Sequence, residues 1–302
     1  MTDRPTLVEL RTRVFKNSGT GQPEIGNWLA RRVGRPSAVY GTWFAVRLGI
    51  SAHAVTLATL VANLGGAIAI GTGSRSGFIA GVVLLMLAYW LDHVDGQVAR
   101  WRGTSSLGGV YFDYLMHHAA TMALGFSLGF GLTMQGGSPM WSVAGFLVAA
   151  GWTFLNLHND CRYKAFFQRL KRAERSYRID GGSGGRPAPP SPWPRVWPGI
   201  VTWPMSKSCE PHIVLVALVI AAVTAVVAPE LWLRALGMAV AAMAVVAPTL
   251  AAARVAKTIA GNTPDQEFNR WFRPLLLLPD RKHVVGGELA DAVVDHDLFG
   301  RG

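Results

Sequence analysis

Charge is scarce in this chain. Asp, Glu, Lys and Arg make up 16% of the residues, against 50% hydrophobic, and a soluble domain would carry about a quarter charged. Because the apolar residues run in long blocks instead of alternating, the deficit points to membrane-spanning segments. Acidic residues are the scarcer sign, 18 against 29 Lys and Arg, for a net charge of +11. In a soluble protein that balance would suggest nucleic acid. Here the basic residues gather in the segments between apolar blocks, where membrane topology places them, so nucleic acid is not an expected partner; the lipid bilayer and phosphorylated substrates are. Cysteine is nearly absent. Cys161 and Cys209 are the two in the chain, neither sits in a Cys/His metal spacing, and reduced thiols are expected. The opening MTDRPTLVELRTRVFKNSG lacks an apolar run, so no cleaved signal peptide is expected.

The blocks predict an all-α, polytopic membrane protein: a six-transmembrane-helix bundle preceded by an interfacial amphipathic helix. Residues 1–48 form an N-terminal segment in which Trp28, Trp43 and Phe44 mix with Arg31, Arg32, Arg35 and Arg47, a blend suited to the headgroup layer, with a break expected near Pro36. Residues 49–260 hold six spans at about 52–71, 78–91, 109–133, 140–158, 212–228 and 231–254. Gly65 and Gly66 in the first allow close helix packing. A basic and Pro-rich loop is expected over 160–208, and a polar tail over 261–302, in which WFRPLLLLP is too short to span. The connections rich in Lys and Arg alternate with connections carrying only Arg75, none, and Arg234. Both termini and the end of the second span are therefore expected on the cytoplasmic side, in a bacterial inner (cytoplasmic) membrane.

The second span runs straight into DHVDGQVARWR. Asp92 sits roughly 21 Å along a hydrocarbon core of roughly 30 Å, inside the membrane's edge. Asp92 and Asp95 are three apart and share a helix face; Asp113 and His117 are four apart on the next helix and share another. If the chain reverses midway between Thr104 and Ser105, Asp92 lies level with His117. An intramembrane Asp costs about 2.5–3.5 kcal/mol at a helix centre. Arg100 can offset one of three carboxylates, and the remaining charge in an oxygen-rich cluster suits Mg²⁺ or Mn²⁺. Gly96, Ala99 and Gly109 leave room beside it for a substrate. The bland alternatives are an ion-pair cluster with Arg100 and Arg102, and a packing histidine at 117. His93 points off the carboxylate face toward the interface, and His158, Asn159 and Asp160 would cap the fourth span.

Together these residues resemble the signature of the CDP-alcohol phosphotransferases, D-x2-D-G-x2-A-R-x8-G-x3-D-x3-D. Asp92, Asp95, Gly96, Ala99, Arg100, Gly109 and Asp113 stand at the matching places, and His117 takes the last. Seven such positions coincide by chance roughly once in 10⁸ starts. The resemblance covers about residues 25–255. Of the family's Pro-Asn-x-x-Thr opening to the first span only Thr56 is kept, with Ala52 and His53 in the other places.

The resemblance implies a transferase in which an acceptor hydroxyl attacks a CDP-linked donor and expels CMP. It implies metal on Asp92, Asp95 and Asp113, with Mg²⁺ or Mn²⁺ as two ions, and CDP contacts from Thr56, Gly96, Ala99, Arg100 and Gly109. His117 then stands where the family has its base, and imidazole, with an unperturbed pKa near 6.5, is competent in that role. Arg162 and Lys164 are candidates for an acceptor phosphate. A CDP-diacylglycerol donor with a small polyol acceptor is the first reading; a soluble CDP-alcohol with a lipid acceptor, and a catalytically silent binding protein, are the others. A homodimer is one admissible assembly. Polyprenyl transfer lacks its Asp-rich repeats here, and transport would place charge at the midplane.

Overall fold

The computed structural model describes residues 5–16, 27–104, 106–172, 177–179 and 199–274. Helix α1 (Leu7–Lys16) and, after a π-helical turn at Ala30–Gly34, α2 (Arg35–Arg47) precede α3 (Ala52–Gly71), α4 (Arg75–Arg102), α5 (Leu107–Met134) and α6 (Met140–Lys171). Strand β1 (Tyr177–Ile179), α7 (Gly199–Ser208), α8 (Pro211–Val227), α9 (Pro229–Ala260), α10 (Thr263–Trp271) and β2 (Phe272–Pro274) follow. Four helices, α3, α4, α6 and α9, are long and apolar enough to cross a membrane, and α8 is a shorter apolar helix. The all-α, polytopic expectation holds at that level. Helix α5, the expected third span, has 28 residues, but Asp113, His117 and His118 dilute the apolar character of its first half.

Serines start the helices around the signature. Ser51, Ser74 and Ser106 accept the backbone N–H of Ala54, Gly77 and Gly109 at 3.1, 3.0 and 3.1 Å, each satisfying a donor the helix cannot. Helix α1 opens on a reciprocal cap. Thr6 N–H donates to Glu9 Oε2 at 2.8 Å and Glu9 N–H to Thr6 Oγ1 at 3.2 Å, and these bonds hold the Glu9 carboxyl below its ordinary range.

Several boundaries differ from expectation. No break occurs near Pro36: the π-helical turn continues directly into α2, and Pro36 follows it, at the kind of irregular turn where a helix tolerates a missing N–H. Helix α6 does not stop at 158 but runs to Lys171. No Gly or Pro interrupts residues 152–171, so the charges expected in a loop are the outer face of a helix. Asp160 therefore lies inside that helix and does not cap it. Helix α7 forms at the end of the expected 160–208 loop, and α10 and β2 inside the polar tail. The Gly/Pro-rich stretch 181–198 and the tail beyond 274 lie outside the described residues.

The chain divides into two compact units, Met1–Asp160 with Pro192–Lys257, and Cys161–Ser191 with Thr258–Gly302. In the first, α4 is central: α3, α2 and α8 pack on it, and α5 packs on α3. One core cluster gathers Phe78, Leu85, Leu128, Trp152, Trp232 and Leu236; a second, of Leu10, Val39, Val55, Val94, Val98 and Trp101, fastens the N-terminal helices to α4. In the second unit Phe166 meets the rings of Phe268 and Phe272 edge-on, Arg162 pairs with Glu267 at 3.3 Å, and β1 runs antiparallel to β2 with Arg178 opposite Arg273.

Small residues set the α3–α4 approach, as they do where lipid supplies no hydrophobic drive between helices. A Cβ on Gly81 would stand 2.6 Å from the Gly66 carbonyl oxygen, whereas one on Gly65 would meet Leu84 at an ordinary 3.6 Å. Gly66, but not Gly65, is thus the close-packing residue. We expect Gly81→Ala to destabilise the fold by about 1–3 kcal/mol, read as a lower unfolding temperature in detergent, with Gly65→Ala near wild type. Equal melting curves for the two would disprove this account of the crossing.

Candidate metal centre

Helix α4 ends on Gly103 in the left-handed region (φ +64°), its N–H and that of Thr104 both returning to the Ala99 carbonyl. Glycine takes this φ without the steric penalty of a Cβ. The tight reversal brings the start of α5 alongside the end of α4. His117 Nε2 lies 3.3 Å from Asp92 Oδ1 and 3.3 Å from Asp113 Oδ1, the level pairing of 92 with 117 that the hairpin count predicts. One ligand atom from each of Asp92, Asp113 and His117 falls within 4.8 Å of the others. Two carboxylates and an imidazole at this spacing are a donor set suited to a divalent cation.

Asp95 is not in that group. It is 9% exposed and accepts a hydrogen bond from Thr56 Oγ1 at 2.8 Å, with the Ala52 carbonyl 3.0 Å away as the competing acceptor. Thr56, expected among the CDP contacts, uses its hydroxyl on this carboxylate. A threonine on the neighbouring helix thereby fixes one rotamer of an acidic residue three positions from Asp92, the kind of outer partner that orients a metal ligand. We expect Thr56→Val to lower activity about tenfold and raise the metal concentration needed for half-maximal rate, while Thr56→Ser restores both. Wild-type metal dependence in Thr56→Val would show that the bond does not matter.

Among the described residues no ion pair joins Arg100 or Arg102 to a carboxylate. The Arg100 guanidinium instead lies over Gly96, its Nη1 3.3 Å from where a Cβ would be, so this glycine makes room for the arginine. Gly109 faces His53, whose Cε1 is 3.4 Å from a Cβ built there. Ala99 is half-buried and serves the helix end through its carbonyl. Arg162, in the second unit, is engaged by Glu267; Lys164 is exposed.

His93 is not interfacial. Its side chain is 11% exposed, with Nδ1 2.9 Å from the Tyr89 carbonyl, and it packs against Gly34, where a Cβ would lie 2.8 Å from the ring. Two further contacts are not foreseeable from residue spacing. His118 Nε2 meets Asp160 Oδ2 at 2.7 Å, tying α5 to α6 directly behind His117. Gln97, 1% exposed, donates through Nε2 to the Arg35 carbonyl at 2.9 Å and accepts from Thr42 Oγ1 at 2.9 Å, clamping α2 to α4. A polar Gln between Asp95 and Arg100 is the sequence signal that points to the second.

The four long apolar helices and the carboxylate–imidazole group at the α4–α5 reversal mark an integral membrane protein with a candidate metal centre. Residues 49–170 match the family model of CDP-alcohol phosphatidyltransferase. This segment, which contains every residue of the signature, is similar to the CDP-alcohol phosphatidyltransferase family, a family of metal-dependent transferases. No curated protein matches the chain.

Proposed function

We propose that the protein transfers a substituted phosphate from a CDP-linked donor, CDP-diacylglycerol, to the hydroxyl of a small acceptor, releasing CMP, within a six-helix membrane bundle whose reacting end faces the cytoplasm. The observation that carries this reading is the grouping of Asp92, Asp113 and His117 within 4.8 Å, inside the segment that matches the family. Asp92, Asp95 and Asp113 would hold Mg²⁺ or Mn²⁺, which when bound neutralises the donor's pyrophosphate and the charge developing on the departing CMP. Asp95 reaches that role from its bond to Thr56. The space beside Gly96, Ala99 and Gly109 receives the cytidine end of the donor, and Arg100, free of any carboxylate pair among the described residues, faces its phosphates.

His117 is the base. As the acceptor oxygen bonds to phosphorus and the bond to the CMP oxygen breaks, the acceptor's hydroxyl proton passes to the imidazole, held in place by two carboxylates 3.3 Å away. A lipid-linked donor suits this location, because the group sits where long apolar helices end and a diacyl chain can stay in the bilayer while its headgroup reacts. The test is product analysis by mass spectrometry after the purified protein is incubated with CDP-diacylglycerol or soluble CDP-alcohols, Mg²⁺ or Mn²⁺, and a panel of polyols and polyol phosphates. A phosphatidyl product with stoichiometric CMP is expected. Product from soluble CDP-alcohols alone would reverse the donor assignment, and CMP release from none of them would leave a binding protein.

A further inference from the structure

At the end of α5 opposite to His117 the protein has an open cleft of about 570 Å³ between the α5–α6 turn and α9. This lies within the roughly 300–1,000 Å³ typical of ligand sites. Its walls are apolar, among them Leu132, Trp141, Leu233 and Met238, with the small residues Gly237 and Ala241 beside them. One cation lines it, Arg234.

Arg234 is the unexplained feature. It stands in the second turn of α9, on the side of the protein that has few basic residues. The other basic residue there, Arg75, serves the fold, since its Nη2 donates to the Val226 carbonyl at 3.3 Å and so closes the end of α8. Arg234 is exposed, and no ion pair joins it to Glu230 one turn before it or to any other carboxylate among the described residues. A tryptophan and an arginine at helix ends, over an apolar cleft open to the surroundings, match the layering of a phospholipid: chain below, charged headgroup above.

We propose that this cleft binds one anionic diacyl phospholipid of the leaflet opposite to the metal centre, with an acyl chain against Trp141, Gly237 and Ala241 and the headgroup phosphate on Arg234. Charge complementarity selects the occupant, since a zwitterionic lipid brings its own cation to compete with the guanidinium. The site is independent of the transferase reading, and a lipid held there would brace the α5–α6 turn against α9.

Native mass spectrometry of the purified full chain in detergent, titrated with phosphatidylglycerol or phosphatidylcholine, tests the proposal. We expect one phosphatidylglycerol per chain, retained at least about tenfold better than phosphatidylcholine. Arg234→Gln is expected to remove that preference, the factor that loss of one charge-assisted contact gives, while CMP release stays at the wild-type level. Arg234→Lys should keep it in part, and Ala241→Leu, which fills the cleft, should weaken binding of both lipids. An unchanged preference in Arg234→Gln, or its absence in the wild type, overturns the proposal. If Arg234→Gln fails to fold, Ala241→Leu decides: undiminished phosphatidylglycerol binding overturns it. Conversion of a dimer to a monomer by Ala241→Leu, without any effect on lipid retention, would assign the cleft to a second copy of the chain instead.

Discussion

Asp92→Asn is expected to lower metal-supported CMP release by about 10³-fold or more without unfolding the protein. The size follows from what the residue does. Its Oδ1 is one of three ligand atoms within 4.8 Å, and a metal that clamps a transferring phosphate supplies several kcal/mol of charge stabilisation, each 1.4 kcal/mol of which is about a factor of ten. Asparagine keeps the shape and one oxygen but loses the charge that makes three nearby donors attractive to a divalent cation. Asp113→Asn should behave alike, because its Oδ1 is the same distance from His117 Nε2. The double variant should cost little more than either alone, since both remove one metal. Metal titrations of CMP release, with unfolding temperatures as the control for folding, decide the matter. Retention of a tenth of the activity in Asp92→Asn would remove this residue from the metal centre.

His117 carries the second large effect, and two substitutions separate its roles. His117→Ala removes the nitrogen that serves either as the base or as a ligand to the ion, and a drop of about 10²–10⁴ in kcat is expected. His117→Asp restores the family's carboxylate. It should keep most of the activity and shift the preferred ion from Mn²⁺ toward Mg²⁺, because an imidazole donor discriminates against Mg²⁺ where a carboxylate does not. Rates of both variants across Mg²⁺ and Mn²⁺ concentrations are the measurement. Full activity in His117→Ala would end both assignments. An unchanged metal preference in His117→Asp would leave the histidine as a base alone.

The elements themselves are largely legible in the residue pattern. The first span is expected at 52–71, where the long apolar helix Ala52–Gly71 stands, and the last at 231–254, within Pro229–Ala260; the expected fifth, 212–228, is matched by the shorter apolar helix Pro211–Val227. Apolar blocks that open on a serine cap or a proline leave few alternatives for where such helices begin. Where the block ends in charge the pattern misleads. Residues 160–171 read as loop because of their Arg and Lys, yet they continue α6 with Phe166 buried and the charges outside. Polarity distinguishes a face from a loop only when the element's neighbours are known.

The chemistry divides in the same way. Sequence alone determined that Asp92 and Asp95 share one face, that Asp113 and His117 share another, and that a hairpin turning at 104–105 would set 92 beside 117. Helical periodicity and the length of a connection are local quantities, and the 3.3 Å contact follows from them. Only tertiary structure decided that Asp95 turns away to Thr56, 39 residues distant, that His118 finds Asp160 across 42 residues, and that Arg234 borders a cleft with no carboxylate among its lining residues. Those outcomes depend on how closely α3 crosses α4 at Gly66 and Gly81, and on which helices flank α5. Crossing distance and neighbour identity are set by packing between residues far apart in the chain, which no local spacing encodes.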